Sequence, residues 1–137
     1  MPLVSSALSV IEKRLPKVID ARTHGVIDYC HAAFFFSMAL LCRNKHPKAA
    51  AAAGFTGAFV LVESLLTDYP LGAFRVIPFE AHGRMDGAFA ASSYMIPRIM
   101  GFDGAASAIF KANSFVEATV VGLTDFNNQR AREESPY

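Results

Sequence analysis

The pentapeptide His24-Gly25-Val26-Ile27-Asp28 is written a second time as His82-Gly83-Arg84-Met85-Asp86. Each copy opens an apolar stretch. Each is followed by a second apolar stretch that closes in a matching tetrapeptide, Leu66-Thr67-Asp68-Tyr69 and Leu123-Thr124-Asp125-Phe126. The unit HGxxD, helix, turn, helix, LTD-aromatic therefore occurs twice, as repeat 1 over about 24–69 and repeat 2 over about 82–126. Two helices per unit return the chain to the side it left. Both HGxxD motifs and both LTD motifs are thus expected at one end of the molecule.

The 137 residues suit one domain. Charged residues make up 18% and hydrophobic ones 53%, against roughly 25% charged in ordinary soluble domains. The apolar runs cover 26–42, 49–66, 83–100 and 103–125. About 20 helical residues cross a bilayer core of ~30 Å, so these runs predict an all-α fold, a four-helix transmembrane bundle made of two tandem helix hairpins. A soluble four-helix bundle is the competing architecture. The membrane domain is expected over 23–127, with a polar tail at 128–137. Residues 1–22 are expected to form an amphipathic, interfacial N-terminal helix. Its Leu and Val residues are interleaved with Glu12, Lys13, Arg14 and Lys17, with a bend at Pro16. No unbroken apolar core of a cleavable signal peptide occurs there.

Orientation follows the Lys and Arg bias. The side holding both termini and the central linker carries Lys13, Arg14, Lys17, Arg22, Arg75, Arg84, Arg130 and Arg132. The other side carries Arg43, Lys45, Lys48 and Arg98. Both termini are expected in the cytoplasm. A net charge of +1 gives no electrostatic basis for nucleic-acid binding. Cys30 and Cys42 fall about 18 Å apart along one helix, beyond disulfide reach.

Residues four apart on a helix share a face, so His24 pairs with Asp28 and His82 with Asp86. Asp68 and Asp125, at the ends of the second and fourth helices, are expected beside them. Carboxylates at helix C-termini oppose the helix dipole, and acids in an apolar setting need partners. A divalent cation meets both needs. Imidazole and carboxylate ligands suit zinc or iron, and the spacing is similar to the HxxxD ligand pairs of membrane zinc transporters. Axial haem ligation by the two His is disfavoured by the adjacent acids. The alternative is structural: Arg22, Arg75 and Arg84 closing the bundle end with the Asp residues. Glu63, Glu117 and Lys111 form a second polar set, read as a buried ion pair or as an ion path toward the cluster.

The duplicated two-helix unit over 22–127, with Pro97 and Gly101-Phe102 ending a helix in the second copy, resembles small bacterial membrane proteins of the SPW-repeat type. Where that type has Ser-Pro-Trp, this chain has Ile96-Pro97-Arg98, and it contains no Trp. The resemblance implies an integral protein of the bacterial inner membrane and assigns no activity. Two functions are expected to compete. One is a metal-binding membrane protein serving transport, sensing or redox chemistry. The other is a non-catalytic accessory or assembly subunit of a larger membrane complex. Partners are then the lipid bilayer and either a second copy of the chain or other subunits.

Overall fold

The structure, a computed structural model, describes residues 15–127. They are mostly helical, in the order α1 (Ala21–Cys42), α2 (Pro47–Leu66), β1 (Thr67–Asp68), β2 (Ile77–Pro78), α3 (Phe79–Ser93), α4 (Ile96–Met100) and α5 (Gly104–Leu123). Expectations for 1–14 and 128–137 lie outside the described residues. The part of the N-terminal segment inside them, 15–20, is extended rather than helical. Ile19 bridges to Thr124, with Val18 N and Ile19 N donating to Leu123 O at 2.9 and 3.0 Å.

Local chemistry sets each boundary. Asp20 accepts from Thr23 N at 2.7 Å and caps α1. The chain leaves α1 through a polar turn, in which His46 N donates to Cys42 O at 2.8 Å. Pro47 then opens α2, where its fixed φ and missing N–H cost nothing. At Thr67 the backbone becomes extended, and the two-residue β1 pairs in parallel with β2, Thr67 opposite Ile77. That short ladder returns the chain to the end of α2, where α3 begins.

The run expected as one span over 83–100 is two helices. Pro97 lacks the N–H that would reach back one turn, and its ring crowds the carbonyl of Ser93, the last residue of α3. A turn at Tyr94 and Met95 follows, then the five residues of α4. Helix α3 is therefore 15 residues long, short of the about 20 that a bilayer core requires. Among the described residues, α1 and α2 are the two helices long and apolar enough to cross a membrane.

Helix α1 lies along α2, and α3 along α5. The α1/α2 contact is close at Gly57, where a Cβ would stand 3.1 Å from Phe36 Cδ1 and 3.2 Å from Ala32 O. Phe35, Met38 and Phe110 fill the core at the end away from the HGxxD motifs, with Ala52 and Ala53. A second apolar cluster of Ala21, Tyr69 and Phe79 packs at the motif end. The outward surfaces are apolar as well: Leu41 is 84% exposed, Phe55 67% and Phe115 68%. Meanwhile His24, Asp28, Glu63, His82, Asp86 and Glu117 are buried.

Candidate metal centre

The first turns of α1 and α3 bring the two HGxxD motifs together. His24 and His82 are 0% and 1% exposed, and Asp28 and Asp86 are 6% and 8%. The two Nε2 atoms stand 3.1 Å apart. His24 Nε2 lies 3.4 Å from Asp28 Oδ1 and 3.1 Å from Asp86 Oδ2. His82 Nε2 lies 3.3 Å from Asp28 Oδ2 and 3.0 Å from Asp86 Oδ2. Each carboxylate thus touches the imidazole of its own helix and that of the other. One ligand atom from each of the four residues falls within 4.8 Å of all the others, and the group could hold a metal ion.

The Thr of each LTD motif sets the imidazole tautomer. Thr67 Oγ1 donates to Glu63 O at 2.7 Å, and Thr124 Oγ1 to Val120 O at 2.7 Å. With its one proton committed to that carbonyl, each hydroxyl accepts from a histidine. His82 Nδ1 is 2.7 Å from Thr67 Oγ1, and His24 Nδ1 is 2.9 Å from Thr124 Oγ1. Both Nδ1 atoms then carry a hydrogen, so a neutral ring at either position has its lone pair on Nε2, facing the centre. The pairing is crossed: the Thr ending each hairpin orients the His that begins the other.

The aromatic residue of each LTD motif closes over a glycine. A Cβ on Gly25 would stand 3.1 Å from Tyr69 Cε2, and one on Gly83 would stand 2.7 Å from Phe126 ring atoms. The Tyr69 hydroxyl also donates to Asp28 Oδ2 at 3.0 Å. Phe79 and Phe126 present ring edges to His24 at centroid distances of 5.4 and 5.3 Å. Thr67, Thr124 and Tyr69 were not singled out in the sequence, although the repetition of their motif was the signal that marked them.

Asp68 and Asp125 stand outside the group. Past the helix ends the chain is extended, and successive side chains of an extended chain point to opposite sides. Thr and the aromatic residue turn inward, and the Asp between them turns away. Asp125 Oδ1 accepts instead from Asn127 N at 3.1 Å. Arg22 and Arg84 are exposed, and the carboxylates of Asp28 and Asp86 face imidazoles. Two His whose Nε2 atoms are 3.1 Å apart leave no gap for a macrocycle, so axial haem ligation does not fit.

The second polar set is divided. Glu63 is 3% exposed, its Oε1 lies 3.8 Å from His82 Nδ1, and that oxygen has no hydrogen-bond partner. Glu117 is buried, and its Oε2 accepts from Asn113 Nδ2 at 3.3 Å. Lys111 belongs to neither. It is exposed, with Nζ 5.7 Å above the Tyr94 ring, so the buried ion pair is corrected. A four-carbon stem at a helix surface reaches solvent more cheaply than it buries its ammonium.

Fold and cluster together define an all-α protein with a buried two-His, two-Asp group at one end. No protein family, no curated protein and no solved structure matches the chain.

Proposed function

We propose that the chain is a membrane-embedded four-helix bundle, built by duplication of a helix hairpin, that binds one divalent metal ion, zinc or iron, through His24, Asp28, His82 and Asp86. Donor and acceptor bookkeeping carries the reading. Two imidazole Nε2 atoms and two carboxylates converge on one point, and among the described residues the Tyr69 hydroxyl donates to Asp28 Oδ2 from the side. A cation at that point satisfies all four.

The dimensions agree. Ligands about 2.0–2.1 Å from a tetrahedral zinc lie roughly 3.3 Å from one another; the imidazole contacts here run from 3.0 to 3.4 Å, and the four ligand atoms, within 4.8 Å of one another, would draw in around an ion. Charge agrees as well, since two carboxylates, two neutral imidazoles and a divalent ion sum to zero, which suits a buried position. Thr67 and Thr124 supply the outer hydrogen bonds that ligating histidines use to hold their orientation. A closed set of four protein ligands leaves no open position for a substrate, which favours carriage or sensing of the ion over hydrolysis.

The apolar outer faces and the lengths of α1 and α2 support a bilayer setting. In that setting α3 with α4 and α5 complete the bundle, and the metal end faces the cytoplasm of a bacterial cell together with both termini.

A second reading keeps the cluster and removes the metal. Protonated imidazoles paired with Asp28 and Asp86 would also fit contacts of 3.0 to 3.4 Å. The protein would then be an accessory subunit of a membrane complex. The 3.1 Å approach of the two Nε2 atoms argues against it, because two imidazolium N–H groups would meet head to head.

Elemental analysis of detergent-purified protein decides between them. We expect one zinc or iron per chain, abolished in the His24→Ala/His82→Ala double variant. Metal-free wild-type protein whose thermal stability ignores chelator and added zinc would overturn the metal reading.

A further inference from the structure

A cavity of about 350 Å³ lies directly against the metal centre, with His24, Asp28 and Asp86 on its floor. It runs between α1 and α5. Away from that floor α1 contributes His31 and α5 contributes Asn113 and Glu117, and the remaining lining is chiefly Val and Ile. We propose that this cavity is a cation antechamber, in which Glu117 takes a hydrated divalent ion and passes it to the His/Asp centre. The inference rests on the metal reading above.

Charge selects the occupant. Three carboxylates line the space, Asp28, Asp86 and Glu117, and no Lys or Arg does. Carboxyl oxygens set between apolar walls are the ligands a hydrated divalent cation takes up. Size selects its state. At ~30 Å³ per water, an ion with six waters needs roughly 200 Å³, so the cavity admits the ion before it sheds its shell.

The polar groups stand in a sequence suited to that exchange. Asn113 Nδ2 holds one oxygen of Glu117 at 3.3 Å and so fixes the carboxylate on the wall. His31 Nε2, contributed from α1, is buried with no hydrogen-bond partner among the described residues. Beyond them the next carboxylates are Asp86 and Asp28, which belong to the centre. The arrangement is one-sided. Counting back seven residues from the Thr of each LTD motif gives Glu117 on α5 but Val60 on α2, and Val60 is part of the apolar lining. The second hairpin therefore carries the access route, while the centre itself is shared.

Stopped-flow uptake of Co²⁺ by the full chain in detergent tests this. Tetrahedral Co²⁺ absorbs far more strongly in the visible than hydrated octahedral Co²⁺, so the colour reports arrival at the centre. We expect Glu117→Gln to reach the wild-type final absorbance and stoichiometry with an association rate lower by at least about tenfold. Asn113→Leu, which keeps the carboxylate and removes its anchor, is expected to slow uptake less. A wild-type rate in Glu117→Gln overturns the antechamber and leaves the metal centre standing. Loss of final absorbance in a folded Glu117→Gln also overturns it, by making Glu117 a ligand of the centre. Absence of the tetrahedral band in wild-type protein removes the centre, and the antechamber with it.

Discussion

At their first turns α1 and α3 present the same groups in the same places: a His, a Gly under an aromatic ring, and an Asp one turn on. Beyond the second turn they part. Helix α1 runs for 22 residues and packs Phe35 and Met38 into the distal core. Helix α3 stops after 15. Counted from the His, the position of Phe35 in α1 is taken in α3 by Ser93. Its Oγ folds back on Ala90 O at 3.3 Å, the same carbonyl that Ser114 Oγ reaches from α5 at 2.6 Å. The motifs match where they touch one another, and the helices diverge where each touches something else. Symmetry in this chain belongs to the site rather than to the whole architecture.

The strongest test of that equivalence removes the crossed hydroxyls one at a time. Thr67→Val and Thr124→Val each leave a histidine Nδ1–H without its acceptor and free the ring to turn. Loss of such an outer hydrogen bond lowers metal affinity by about 10- to 100-fold, and we expect both variants to fall in that range. Competition with a chromophoric chelator measures it. Losses differing by more than about tenfold would break the comparison, showing that one histidine carries the ion and the other only accompanies it.

A smaller effect separates the glycines. A methyl on Gly83 would meet the Phe126 ring at 2.7 Å, closer than carbon atoms approach without something moving. On Gly25 the nearest atom is 3.1 Å away, and a shift of a few tenths of an ångström accommodates it. Gly83→Ala should cost about 1–3 kcal/mol as overpacking. Gly25→Ala should fall below about 1 kcal/mol, because Ala also favours the helix over Gly by a similar amount. Thermal unfolding of the two variants in one detergent gives the comparison directly. Equal losses would mean that the Phe126 ring swings aside freely and takes no part in closing the site over His24.

The repeated HGxxD made the four central residues legible, because helical spacing alone places His and Asp on one face. The helical class of the fold was legible in the long apolar runs. What sequence hid lay past the helix ends. As helix termini the LTD motifs offer Asp68 and Asp125, but an extended backbone there reverses which residue faces in, and Thr67 and Thr124 hold the site instead. Periodicity carries no sign of where helical twist gives way to strand alternation. Pro97 was visible near the end of an expected span, yet its reach back to the carbonyl of Ser93 shortened α3 by a full helical turn and more. Lys111 counts in sequence with Glu63 and Glu117 as one polar set inside the bundle. Its long stem, laid toward Tyr94, made that inference fail.

The smallest contrast lies one turn before the motifs. Helix α1 is capped by the Asp20 side chain, whereas Pro78 at the start of α3 offers no side-chain cap. The Thr23 backbone N–H donates to the Asp20 carboxylate and holds its pKa below the ordinary 3.8. A carboxyl whose folded pKa is depressed contributes stability above its unfolded pKa and loses that contribution as pH falls through the folded value. Asp20→Ala should therefore destabilise the protein by about 1 kcal/mol at neutral pH, and the gap from wild type should narrow as pH drops below 3.8. Asp20→Asn, which keeps an acceptor without the charge, should retain most of the stability and show no such narrowing. Asp20 O also accepts from His24 N at 2.9 Å, so the cap fixes the turn that delivers His24. If Asp20→Ala leaves both stability and metal affinity untouched, the register of α1 is set by the Ile19–Thr124 bridge instead. The first hairpin would then depend on the last residues of the second for its geometry as well as for its hydrogen bond.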